Sequence, residues 1–105
     1  MSAMRFGLIL TDQRNAAHAA GVLAAAAARG WDARCFLTDS GVLALGDEGF
    51  VALARARPKT VAACKHSLDH LLPGFDAAPL ADAVVIGSQF QGAKLAQAAD
   101  ALLVL

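Results

Sequence analysis

The sequence predicts an α/β fold of three layers, α/β/α, with a five-stranded parallel sheet in the middle. Three observations predict it. Short apolar runs recur at 5–10, 32–39, 60–64, 83–88 and 101–105. Segments of helix-favouring composition fill most of the intervals between them. The runs are largely continuous rather than alternating, as in strands buried on both faces.

The first run, RFGLIL, has the length of a buried strand and is closed by TDQRN. Asp12 and Asn15 are both placed to cap the next helix. Residues 15–29, NAAHAAGVLAAAAAR, are rich in alanine, the strongest helix former, and Gly30 stands where a helix end favours a left-handed residue. DARCFLTD is the second strand. The glycines of GVLALGDEG break the chain before GFVALARAR, a second helix that Pro58 ends. TVAAC is a third strand, and HSLDHLL a short helix closed by Pro73 and Gly74. FDAAPLAD is a connection. AVVIGS, rich in Val and Ile, is the fourth strand, QFQGAKLAQAAD a helix despite Gly92, and ALLVL the fifth strand. Right-handed crossovers join the strands.

A chain of 105 residues suits one compact domain, residues 1–105. Hydrophobic residues make up 57% and charged residues 17%, which argues against disorder. So much apolar composition in a small domain points to burial against another subunit; the competing explanation is alanine, which demands little burial. Formal net charge is +0, the basic residues are scattered, and aromatics are limited to 5 Phe and 1 Trp. These features argue against a nucleic-acid partner and against an acidic membrane surface. No apolar run approaches the ~20 residues that span a bilayer. The opening MSAMRFGLILTDQR lacks the apolar length of a signal peptide. A cytoplasmic location is expected. Cys35 and Cys64 form no CxxC pair and are expected as free thiols.

In open parallel sheets, chemistry gathers at the carboxyl ends of the strands. Four segments lie there: TDQRN, TDSGVLAL, CKHS and GSQFQG. In TVAACKHSLDHLLPG, Cys64 ends the third strand and begins a helix. Unpaired N–H groups and the helix dipole at such a position favour a thiolate. Lys65 and His66 add positive charge beside it, Ser67 is placed to cap the helix, and His70 shares a helix face with His66. Asp12 and Asn15, with Gly87 and Ser88 of the Gly-Ser turn, are expected at the edge of the same pocket. Two other readings of Cys64 stand beside this one. A cysteine after TVAA is also an ordinary core residue. Cys64, His66 and His70 also form a C-x-H-x3-H pattern, but a structural zinc wants four ligands and no second Cys/His pair is visible. No metal is therefore assigned within one subunit, and a site shared between subunits stays open. Cys35, between Arg34 and Phe36, is expected in the core. GSQFQG offers donors at a helix start but matches neither GxxxxGK[ST] nor GxGxxG, so no nucleotide or other organic cofactor is expected.

Three stretches carry a likeness to a known family: RGWDARCFLTDSGVLAL, then VAACKHSL with a cysteine closing the third strand, then VVIGSQFQGAKLAQAADALLVL. Over essentially its whole length the chain resembles the DsrE/DsrF-like sulfur-relay family. The resemblance implies a DsrE-like domain that assembles into homo-oligomers, trimers or hexamers. It also implies a cysteine that accepts sulfur as a persulfide, and the position that matches is Cys64. Partners implied are sulfur donor and acceptor proteins or low-molecular persulfides. The expectation is a small sulfur-relay protein, sulfurtransferase-like, in which Lys65 and His66 stabilise the Cys64 thiolate. The alternative is a non-catalytic oligomeric binding or scaffold subunit of the same fold.

Overall fold

A computed structural model describes residues 3–105. Strands β1 (Arg5–Leu10), β2 (Asp32–Leu37), β3 (Val61–Cys64), β4 (Val84–Gly87) and β5 (Ala101–Val104) alternate with helices α1 (Ala16–Ala28), α2 (Glu48–Ala56), α3 (Lys65–Leu71) and α4 (Gln89–Ala98). All strands pair in parallel in a 5-stranded sheet of order β4-β3-β2-β1-β5. From β1 to β4 the chain steps in one direction, so right-handed crossovers put α1, α2 and α3 on one face. The last crossover runs back past β1 to β5, so α4 lies on the other face. The packing agrees: α1 touches β1, β2 and α2, while α4 lies over β1, β2 and β3.

The two faces are built differently. Toward α1 and α2 lie Leu8, Leu10, Cys35, Leu37 and Val61, buried with Leu23, Val42 and Phe50. Toward α4, the sheet presents Phe36, and Gly92 lets the helix come close to it. A Cβ on Gly92 would stand 2.8 Å from the Phe36 ring. Truncating Phe36 to alanine would cost about 3–5 kcal/mol, because the ring is fully buried in that contact. One helix does not cover five strands, and on β5 Leu102 and Val104 stay exposed.

Two local features depart from the expectation. Asn15 does not cap α1 with its side chain. Its Nδ2 instead donates to the Leu105 carbonyl at 3.0 Å and ties the end of β5 to the end of β1. The glycine-rich stretch after β2 is not a simple break but a 3-10 helix, Asp39–Gly46. Gly41 makes this possible: a Cβ there would stand 2.6 Å from the Leu10 carbonyl carbon. The glycine lets residues 39–46 lie directly on the end of β1. Ser40 fastens the same segment, its Oγ accepting from the Gln13 N–H at 3.1 Å. Among the described residues, no helix is long and apolar enough to cross a membrane.

Candidate functional site: a thiol where the crossovers reverse

Strands β3 and β4 are neighbours, yet the chain leaves them toward opposite faces of the sheet. After β3 it enters α3, and after β4 it enters α4. Such a reversal leaves a crevice between the two carboxyl ends, the usual ligand position in open α/β sheets. Cys64, the last residue of β3, pairs in register with Gly87, the last of β4. An open groove of about 600 Å³ lies there, lined from Cys64 to His66 and from Ile86 to Gln91.

Cys64 is the N-cap residue of α3 and is 2% exposed. Its sulfur accepts a hydrogen bond from Gln89 Nε2 at 3.6 Å. No side-chain cap hydrogen bond of strict geometry forms to α3. The N–H groups of Ser67 and His66 and the Ser67 hydroxyl nevertheless face the sulfur closely enough to favour its charged form. Burial opposes the thiolate and is the largest single influence. The Ser67 N–H and hydroxyl, the His66 N–H and the Gln89 amide together outweigh it, and the thiol pKa lies below its ordinary value.

The donors are themselves held. Ser67 is buried, and its Oγ accepts from the Asp39 N–H at 3.1 Å. That leaves the Ser67 hydroxyl proton to be aimed at the sulfur. Asp39 reaches this position with φ of 49°, a left-handed backbone in a non-glycine residue. Backbone strain of this kind clusters at functional sites. Gln89 opens α4, and the helix start is fixed by a capping box in which Ser88 Oγ accepts from the Phe90 N–H and Gln91 Oε1 accepts from the Ser88 N–H at 2.9 Å.

Of the residues singled out in the sequence, Cys64, Lys65, His66, Gly87 and Ser88 come together around the groove. Asp12 and Asn15 do not line it. They sit beyond β1, which β2 separates from β3, and both are engaged locally. Asp12 caps a single 3-10 turn by accepting from the Arg14 N–H at 2.9 Å and forms a two-pronged ion pair with the Arg14 guanidinium. That ion pair holds its carboxyl below the usual value. Lys65 Nζ lies 2.7 Å from Asp69 Oδ2, so its charge is directed along α3 rather than at sulfur. His66 contributes to the sulfur through its backbone N–H. Cys64, His66 and His70 do not converge: among the described residues, no group of three or more His, Cys, Asp or Glu is arranged to hold a metal ion.

Gln89, Thr38 and the contact of Ser67 with Asp39 are site features that the sequence does not announce. Glutamine has no chemical signature of its own, and Gln89 meets its partners across 25 and 51 residues of chain. The one local signal is GSQ itself, a polar triplet closing an apolar strand at the sheet's carboxyl edge.

A second groove, about 460 Å³, runs beside α4 toward the amino ends of the strands. Its arginines are occupied: Arg34 pairs with Asp32 at 3.0 Å and Arg5 with Asp100 at 3.9 Å. Lys59 Nζ donates to the Ala81 carbonyl at 2.6 Å. Cys35 is 1% exposed, and burial pushes its thiol up to about 12.

No family model and no curated protein sequence matches the chain. Its fold is similar to the crystal structure of the ychN protein from E. coli, with a TM-score of 0.69 at 21% sequence identity, covering 97% of this chain and 100% of that one. At that identity the likeness speaks to architecture alone, and it supports the α/β fold with a five-stranded parallel sheet expected from the sequence.

Proposed function

We propose that the protein carries sulfane sulfur as a persulfide on Cys64. The observation that supports this best is a thiol with a lowered pKa beside an open groove at the β3–β4 crossover reversal. The chemistry needs little else. The Cys64 thiolate attacks the outer sulfur of a donor persulfide, R–S–SH. A new S–S bond forms to Cys64, the old one breaks, and R–S⁻ leaves with its electron pair. An acceptor thiolate then attacks the outer sulfur on Cys64 and restores the starting thiolate. Both steps are exchanges with no net oxidation, and no resident cofactor takes part. The donors around Cys64 hold the sulfur as a thiolate when it attacks and again when it leaves.

Lys65 and His66 belong to this reading as parts of the groove wall, and His66 also through its N–H. Gly87 and Ser88 form the opposite wall. Donors and acceptors are proteins or small persulfides that reach the open groove. Self-association belongs to the same proposal. Leu102 and Val104 leave apolar surface on β5, and Phe90 stands 64% exposed at the groove rim.

The test is incubation with inorganic polysulfide at neutral pH, followed by intact mass measurement without reductant. The wild-type chain gains one sulfur atom that reductant removes, and the Cys35→Ser chain gains it too. Equal gain by Cys64→Ser, or no gain by wild type, defeats the proposal and leaves the scaffold reading of the fold.

A further inference from the structure

We propose that the Gln89 side chain is a latch over Cys64: anchored on Thr38, its amide spans the thiol, donates to the sulfur and regulates access to it. The proposal deepens the sulfur-carrier reading and rests on it for purpose, though its geometry is independent of that reading.

The amide nitrogen of glutamine carries two protons. In this structure Nε2 lies 2.9 Å from Thr38 Oγ1 and 3.6 Å from Cys64 Sγ. One nitrogen therefore bridges the ends of β2 and β3 from a residue at the start of α4. Its position explains a contrast in the site. Cys64 lines an open groove, yet the residue is only 2% exposed. Gln89 is itself exposed, so nothing packs over its outer side. The anchor is a single neutral hydrogen bond, worth about 0.5–1.5 kcal/mol, which thermal motion breaks readily. Opening requires only a rotation of one side chain, with no movement of α4.

The latch has two separable effects. As a cover it slows the approach of any electrophile to the sulfur. As a donor it favours the charged sulfur, and when an outer sulfur is loaded the freed amide is within reach to donate to that atom instead. A plain obstruction would have the first effect without the second.

Three variants divide these effects, read by the rate of iodoacetamide alkylation at Cys64 across a pH series. In that reaction the thiolate forms an S–C bond and iodide leaves, so the plateau rate reports access and the pH midpoint reports the thiol's proton affinity. Other charged and titratable side chains on the surrounding elements are Asp32, Arg34 and Cys35 on β2, Asp39 after it, Lys65, His66, Asp69 and His70 on α3, and Lys94 on α4; every variant keeps them. Gln89→Ala removes cover and donor together. Its plateau rises on the order of tenfold, and its midpoint rises by on the order of one pH unit. Gln89→Met keeps the bulk but loses the amide that bonds both Cys64 and Thr38, so its midpoint rises as in Gln89→Ala while its plateau rises only about as far as in Thr38→Val. Thr38→Val frees the anchor and keeps the donor, so its plateau rises while its midpoint moves by less than about 0.3 units.

The proposal is overturned if Gln89→Ala leaves both quantities unchanged, or if Thr38→Val fails to raise the plateau. It is also overturned if the midpoint falls in Gln89→Ala, because the amide oxygen would then face the sulfur and stabilise the neutral thiol. No step of this experiment uses sulfane sulfur. Failure of polysulfide loading beside these three results removes the carrier reading and leaves the latch; successful loading without them removes the latch alone.

Discussion

Cys35 and Cys64 lie on adjacent strands, both almost wholly buried, and their thiols are displaced in opposite directions. Cys35 stands mid-strand under α1, where the neighbouring backbone groups are committed to the sheet. Burial acts there nearly alone and pushes the thiol up to about 12. Cys64 stands where β3 ends and α3 begins, and the first N–H groups of a helix have no partner within it. Burial acts on Cys64 too, but Ser67, His66 and Gln89 supply donors that overcome it. Burial alone therefore does not decide in which direction a thiol is displaced. The decisive quantity is how many donors, from backbone and side chains together, meet the sulfur.

The contrast is most easily broken by a reactivity measurement. With a neutral alkylating reagent at pH 7 and peptide mapping, Cys64 reacts on the order of 10³-fold faster than Cys35 or more, because a thiol near 12 is ionised in only about one molecule in 10⁵ at that pH. Comparable rates at the two positions would end the distinction.

A second, smaller effect lies in stability. The folded pKa of Cys35 is raised, so its contribution is fully present below the ordinary thiol range. It is lost as pH rises from that range toward about 12, at about 1.4 kcal/mol per pH unit. Cys64 has the opposite sign. Its contribution is present above the ordinary thiol range and is lost as pH falls through its lowered folded value. Denaturant titrations between about pH 8 and pH 10 separate the two thiols. Cys35→Ala loses stability with rising pH less steeply than wild type, whereas Cys64→Ala loses it more steeply. Parallel curves for all three chains would mean that neither thiol is held as described.

The smallest effect sharpens the role of charge at the site. Lys65 is exposed and paired with Asp69 at i,i+4, so Lys65→Ala changes stability by less than about 0.5 kcal/mol. The alkylation midpoint of Cys64 moves by less than about 0.3 pH units in the same variant. A rise of a full unit would restore Lys65 as an electrostatic partner of the thiolate.

The sheet was legible in the sequence because its strands are local signals. RFGLIL, TVAAC and AVVIGS declare themselves as apolar runs between polar turns, and ARG marks the end of α1 through Gly30. Cys64 was legible as a strand-end thiol for the same reason. What surrounds it was not, because the contacts are made by the fold. Ser67 meets Asp39 across 28 residues, and Gln89 meets Thr38 across 51. The order β4-β3-β2-β1-β5 decides that Gly87 and Ser88 border Cys64 while Asp12 and Asn15 lie beyond an intervening strand. Strand order is not written in any single segment. The 3-10 helix at Asp39–Gly46 was hidden for a similar reason, since Gly41 is required by the Leu10 backbone and not by its own neighbours.

The proposed function stands on sulfur passing through Cys64, and loading alone does not distinguish a carrier from a dead-end modification. The direct measurement starts with wild-type protein loaded with isotopically labelled sulfane sulfur and freed of donor. A small thiol acceptor is then added, and both the protein mass and the acceptor persulfide are followed with time. The protein returns to its unloaded mass as the label appears on the acceptor, and the returned protein can be loaded again. Label that stays on the chain, or that is bound and released equally by Cys64→Ser, contradicts the account.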